Sequence, residues 1–174
     1  MTTVGVTGAE GFLGWHVRAR LHALEAYSVR SATRETFSTT ALLDEFVAGC
    51  DYILHLAGVN RGEPDDVAAG NVDLAQALID SKSRTGSHFG LAYANSTKAG
   101  SDSPYGLSKL KAAEMLAEAQ SSAGDRFSDY IFPHLFGEHG RPFYNSGVTT
   151  FAHQIATGGT PEIIVDSEVE LLHA

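Results

Sequence analysis

Cysteine occurs once in the 174 residues, as Cys50. A lone thiol cannot close an internal disulfide, so a reducing compartment is expected. Cys50 sits just before an apolar run and reads as a structural thiol rather than a nucleophile. Positive charge is also short: Lys and Arg total 12 against 21 Asp and Glu, a formal net charge of -9. A nucleic-acid face needs clustered positive charge, and none is visible. An anionic small ligand remains compatible with this balance, because backbone dipoles bind phosphate on acidic proteins. No stretch approaches the length of a membrane span, and Met1-Thr2-Thr3 leads into an apolar run without a signal peptide. The expectation is a soluble cytoplasmic protein without a membrane partner. The histidines have no metal-ligand spacing supported by cysteine or carboxylate, so no metal is expected. His16, His22, His88 and His173 read as core or surface residues, and His55 as a packed, hydrogen-bonded core residue.

What is present is ordinary globular material, 43% hydrophobic and 19% charged. Apolar runs and helical patterns alternate along the chain. Strands are predicted at 4–6, 27–32, within "DYILHLAG", at 88–94 and at 127–132. Helices are predicted from Phe12 onward, with Val17, Leu21 and Leu24 in phase, and at 41–48, 67–81 and 105–120. Gly49 would end the second helix, and Ser103 with Pro104 would open the last. This alternation predicts an α/β fold, a doubly wound parallel sheet of Rossmann type with helices on both faces. Beyond Gly137 come a polar loop, a helix at 149–156 and a short strand in "PEIIVD". The predicted division is a dinucleotide-binding domain over 1–136 and a partial substrate-binding region over 137–174.

Gly8, Gly11 and Gly14 stand at three-residue intervals between the first strand and the first helix. Such a placement gives a tight turn, a close backbone approach to a pyrophosphate and a close helix–sheet contact. The N–H groups near Phe12 and Leu13 would then face the phosphates at a positive helix end. The alternative is a glycine-rich turn that binds nothing. The second strand ends in "VRSATRE", where a carboxylate would select NAD and an arginine NADP. Arg34, with Arg30, Ser31 and Thr33 at hand, favours NADP(H), against the alternative of a solvated surface charge.

"YGLSK" places Tyr105 and Lys109 four residues apart, on one face of a helix. A free phenol titrates near ~10, and a fixed ammonium beside it favours the phenolate. A shift of about three units needs only ~4 kcal/mol of differential interaction. Ser96, at the end of the preceding strand, could bind a substrate oxygen, with Thr97 as the fallback. Taken alone, Tyr105 is an ordinary helix residue; taken with the glycines and Ser96, it reads as an acid–base group.

"TGAEGFLG", "HLAG", Asn71, Ser96 and "YGLSK" together resemble the extended short-chain dehydrogenase/reductase family, the NAD-dependent epimerases and dehydratases. The resemblance implies Tyr105 as acid–base group, Lys109 as its partner and Ser96 as the group that polarises a carbonyl. It places Asn71 at the buried position that orders the lysine, and Leu56, Ala57, Gly58 and Pro133 along the cofactor. It also implies a homodimer through the helices carrying Asn71 and Tyr105. "DYILHLAGVNR", "PYGLSKLKAAE" and "LFGEHGRPFYNSGVTTFAHQIATG" are similar to the reductase domain of CapF-type capsular-polysaccharide enzymes. Those enzymes reduce a UDP-4-keto-6-deoxy-amino sugar with NADPH. By the same resemblance Arg141, Tyr144 and Asn145 are candidate nucleotide-sugar contacts, with a rigid loop before a helix as the alternative.

The chain departs from such proteins at Ile131 and His134, where they carry Arg and Asn; His134 is then a substitute donor to substrate or a packing residue. The chain stops at "VELLHA", short of further substrate-binding structure and of a cupin domain, which reads as a truncated chain. A 4,6-dehydratase needs an Asp-Glu pair after the active-site hydroxyl, and here Thr97 and Lys98 follow Ser96. A 4-epimerase on the same fold and a non-catalytic NADP-binding sensor or truncated module are the remaining alternatives.

Overall fold

The computed structural model describes residues 1–163 and 168–174. Two compact units divide the chain, Met1–Ile131 and Phe132–Ala174. The first unit alternates β1 (Thr2–Thr7), α1 (Phe12–Ala23), β2 (Tyr27–Ala32), α2 (Thr40–Ala48), β3 (Tyr52–His55), α3 (Pro64–Thr85), β4 (Gly90–Ser96), α4 (Pro104–Ser122) and β5 (Phe127–Phe132), whose last residue opens the second unit. The strands lie in the order β2-β1-β3-β4-β5. β1 pairs in parallel with both β2 and β3, and β3 pairs in parallel with β4. This is a Rossmann-like parallel sheet with helices on both faces.

The pleat sorts the core into two layers. On one face Val4 and Val6 of β1 meet Val17 and Leu21 of α1, with Tyr52, Leu54 and Leu56 beside them. On the other, Ile53 and Tyr93 pack beneath Leu43, Phe46 and Val47 of α2, Ala75 and Leu78 of α3, and Ala112, Ala113 and Leu116 of α4. Gly5 lies under α2: a Cβ there would stand 2.6 Å from Cys50 Sγ and 2.7 Å from the Phe46 ring. Cys50 is buried, and burial pushes its thiol up to about 11, which fits a structural rather than a nucleophilic role.

Local chemistry sets the element ends. The Ser103 hydroxyl accepts from Gly106 N–H at 3.0 Å, and Pro104 follows in the first turn of α4. α3 opens on Pro64 and runs longer than the predicted 67–81, closing only at Gly86 with φ 63°. The fourth strand begins at Gly90 rather than at His88. Gly90 lies against the Tyr52 ring, where a Cβ would come within 2.3 Å, and its N–H bonds to Asp51 O at 3.1 Å. Below the sheet, Lys82 of α3 is 8% exposed and bonds to Gln120 and, at 2.5 Å, to Asp125. Gln120 in turn donates to Phe89 O and Arg126 O, which ties α3 and α4 to the start of β4 and β5.

In the second unit β6 (His134–Phe136) pairs in parallel with β7 (Leu171–His173), and α5 (Gly147–Ala156) follows the N-cap Ser146. Three-residue strands carry too little alternation to be read from sequence, and neither was expected. Of the strand expected in "PEIIVD", residues 161–163 form none, and 164–166 lie outside the described residues. Among the described residues no helix is long and apolar enough to cross a membrane.

Candidate active site

In a doubly wound sheet, ligands bind outside the carboxyl ends of the strands where the winding reverses. Here that point lies between β1 and β3. Gly8 follows β1 with φ 64°, a left-handed conformation, and a Cβ on it would stand 2.7 Å from Ala57 N in the segment after β3. A Cβ on Gly14 would stand 2.2 Å from Gly8 O, so α1 can lie this close to the turn only with glycine there. Gly11 is the N-cap of α1 and supplies no side-chain bond to it. The first-turn amides, Phe12 and Leu13 among them, are thus left to an anion. A bare turn, a close-packed helix and an uncapped helix N-terminus fit a dinucleotide pyrophosphate.

Behind this crevice runs a buried column. Ala57 N–H donates to Thr7 Oγ1 at 3.1 Å, and Thr7 Oγ1 lies 2.7 Å from His55 Nδ1. The hydroxyl has two acceptor lone pairs and one proton, so it can serve the Ala57 amide and the imidazole together. Burial holds His55 down to about 3, and the nearby Lys109 charge adds to the effect. His55 is therefore the packed, hydrogen-bonded core residue that the sequence led us to expect. It stacks on Tyr93 with centroids 5.5 Å apart.

α4 delivers the acid–base candidates. The Ser96 side chain acts on the Tyr105 phenol. Lys109 is 4% exposed; its Nζ donates to Ala94 O at 2.5 Å and lies 3.9 Å from the Tyr93 ring centroid. Burial lowers the Lys109 ammonium to about 8, against which the Asp129 carboxylate works. The Tyr105 phenol is pushed up by burial, with the Ser96 side chain pulling it down. Burial thus raises the phenol here, where the Tyr–Lys spacing led us to expect an acidified one. Asn71, 2% exposed, brackets Val59 by accepting from its N–H at 3.1 Å and donating to its carbonyl at 2.9 Å. It also donates to Ser108 Oγ at 2.9 Å, so Asn71 fixes the residue next to Lys109.

The remaining candidates fall into three places. Leu56 packs in the α1-side core, while Gly58 lies against Asn71, whose Oδ1 would be 2.9 Å from a Cβ there. Arg34 is exposed in the turn after β2, close in sequence to a cavity of about 360 Å³ lined by Arg30, Ser31, Thr33 and Glu35. Arg30 itself is engaged with Glu45, bonding to its carbonyl at 3.3 Å. Thr97 is exposed just past β4. Within the second unit, Pro133 precedes β6 and His134 Nε2 lies 3.3 Å from Ser146 Oγ. The Arg141 guanidinium lies 5.3 Å from the Tyr144 ring centroid, and Asn145 is exposed beside them. Sequence reasoning missed Thr7, Tyr93, Asn95 and Asp129. Nothing in their local spelling marks them; strand register alone brings them together. Among the described residues no group of three or more His, Cys, Asp or Glu could hold a metal.

A family model described as the NAD dependent epimerase/dehydratase family matches residues 4–174. The chain belongs to this family. The family binds a nicotinamide dinucleotide, and the Rossmann-like fold of the chain accords with that. The chain is 40% identical over 151 residues to a UDP-2-acetamido-2,6-beta-L-arabino-hexul-4-ose reductase of Pseudomonas aeruginosa, covering 86% of this chain and 40% of that protein. It is similar to the capsular polysaccharide assembling protein CapF from Staphylococcus aureus, with 29% identity, a TM-score of 0.85, and coverage of 99% of this chain and 45% of that one. It also shares its fold with UDP-N-acetylglucosamine 4-epimerase from Bacillus cereus, at 21% identity and a TM-score of 0.81, over 99% of this chain and 68% of that one. The chain thus spans less than half the length of the reductase and of CapF.

Proposed function

We propose that the protein reduces the keto group of a UDP-4-keto-6-deoxy-amino sugar with NADPH, on the way to a capsule or other polysaccharide precursor. The observation that carries this reading is the Ser96 hydroxyl acting on the Tyr105 phenol, with Lys109 one helical turn further along α4. The likeness to the Pseudomonas aeruginosa reductase supports the substrate class. The bound dinucleotide supplies the hydride that reaches the carbonyl carbon. Ser96 donates to the carbonyl oxygen and holds it beside Tyr105. Tyr105 gives its phenolic proton to that oxygen as the C–O bond becomes single. A phenol raised by burial stays protonated at neutral pH, which suits a proton donor in the reductive direction. The Lys109 ammonium steadies the phenolate left behind.

Gly8, Gly11 and Gly14, with the Phe12 and Leu13 amides, seat the pyrophosphate; Leu56, Ala57, Gly58, Asn71 and Pro133 border the dinucleotide. Arg34 favours NADPH over NADH by pairing with the 2′-phosphate. Thr97, His134, Arg141, Tyr144 and Asn145 serve the nucleotide sugar. Two copies associate through the outward faces of α3 and α4. There Ala68, Val72, Pro104 and Leu107 line a groove of about 390 Å³, and Leu107 is 53% exposed. We place the protein in the cytoplasm, where UDP-sugars and NADPH are supplied.

The test is a fluorescence titration with NADPH and NADH, together with turnover of UDP-4-keto-6-deoxy-amino sugars by the wild type and Tyr105→Phe. Tighter NADPH binding and a loss of kcat of about 10²–10⁴-fold in the variant are expected. Preference for NADH overturns the Arg34 assignment, and undiminished turnover overturns that of Tyr105.

A further inference from the structure

We infer that Asn95 and Asp129 form a clamp that positions Ser96 against Tyr105. The inference rests on the reading of Ser96 and Tyr105 as the substrate-facing pair, and adds two positioning residues to it. Asn95 is 6% exposed, next to Ser96 at the end of β4. Both ends of its amide are committed. Its Oδ1 accepts from the Ser96 N–H at 2.9 Å, and its Nδ2 donates to Asp129 Oδ2 at 2.9 Å. The amide stands this way round because the Ser96 N–H can only donate, which sets Oδ1 toward it and Nδ2 toward Asp129. A buried amide held at both ends fixes the backbone of Ser96. The Ser96 hydroxyl also accepts from Lys98 N–H at 3.1 Å, so its own proton remains for Tyr105 or a substrate oxygen.

The clamp ties the site to β5, a strand that otherwise supplies it with no reacting group. It also brings a negative charge to Lys109. The titratable groups around Lys109 are Tyr105 on its own helix, His55 on β3, Tyr93 on β4 and Asp129 on β5. Of these, the Asp129 carboxylate favours the ammonium and so opposes the burial that lowers it. One residue pair thereby serves both the orientation of the hydroxyl and the charge of the amine.

The experiment compares the wild type with Asn95→Ala, Asn95→Asp, Asp129→Asn and the double swap Asn95→Asp/Asp129→Asn. Measurements are thermal melting, NADPH titration, steady-state reduction of the keto-sugar, and NMR titration of 13Cε-labelled lysine with Lys109→Gln for assignment. Asn95→Ala is expected to lower kcat about 10–100-fold, with NADPH affinity held within about twofold. Asn95→Asp sets two carboxylates face to face and is expected to lose activity. The swap exchanges donor and acceptor, and activity is expected to return. Asp129→Asn is expected to move the Lys109 midpoint down from about 8. A wild-type kcat in folded Asn95→Ala, or a swap no better than Asn95→Asp alone, overturns the clamp. Should Asn95→Ala fail to fold, the exposed Asp129 decides: a wild-type kcat in folded Asp129→Asn overturns the clamp, and a kcat lowered about 10–100-fold with NADPH affinity held upholds it. If the wild type reduces no keto-sugar while the Lys109 midpoint still falls in Asp129→Asn, the functional reading is lost and the coupling of Asp129 to Lys109 stands.

Discussion

Acid should destabilise this protein through His55 before its carboxylates are reached. His55 is 1% exposed, shares a hydrogen bond with Thr7 Oγ1 and is held by burial to about 3, against 6.5 for an unhindered imidazole. Its folded value is depressed, so the unfolded chain takes up a proton over the window between 6.5 and about 3 while the native protein does not. Stability is therefore fully present above 6.5 and falls as pH drops through that window. Each unit is worth up to about 1.4 kcal/mol, so acidification to pH ~4.5 should cost about 3 kcal/mol from this residue alone. Asp44 and Asp125, both lowered by ion-paired partners, lose their contribution only below the ordinary carboxylate value of 3.8. Measurements above pH ~4.5 therefore isolate the histidine. The assay is urea unfolding across pH ~4.5 to 7.5 for the wild type and His55→Gln, which keeps a hydrogen-bonding group toward Thr7 without a titratable ring. The wild type should lose about 3 kcal/mol over this range and the variant should be nearly flat. Parallel curves for the two proteins refute the account of a buried neutral imidazole.

Gly14→Ala should destabilise the protein by roughly 1–3 kcal/mol and weaken NADPH binding together, because the added methyl meets backbone rather than a yielding side chain. Melting and fluorescence titration check this, and an unchanged NADPH affinity contradicts it. The kcat for keto-sugar reduction should fall as pH rises past about 8, since Lys109 is cationic below its midpoint and neutral above it. A kcat flat from pH ~7 to 9.5 contradicts that. Leu107→Glu, on the outward face of α4, should turn a dimer into a monomer in sedimentation velocity; an unchanged sedimentation coefficient removes this face from the interface.

The glycine turn and the helix of Tyr105 and Lys109 were legible because their signals are local. Gly8, Gly11 and Gly14 act within a single turn, and Tyr105 and Lys109 within a single helical turn. The parallel sheet was legible too, since buried strands leave continuous apolar runs such as "DYILHLAG". What was not legible depends on register. Thr7 and His55 are 48 residues apart, and Asn95 and Asp129 are 34 apart; only the pairing of neighbouring strands makes each pair adjacent. The same register aims the Lys109 ammonium at Ala94 O and the Tyr93 ring, which helical spacing alone could not foretell.

By itself, then, the amino-acid order determined the class of fold, the glycine turn and the helix that carries tyrosine and lysine, because glycine sterics, apolar periodicity and a four-residue spacing act over a few neighbouring residues. The tertiary structure decided which polar groups lose water and whom they meet: a neutral histidine under the crevice, an ammonium facing an aromatic ring, and an asparagine held between a serine amide and a carboxylate. Burial and long-range pairing are properties of the packed chain, and they set charge and orientation where sequence spacing sets only proximity.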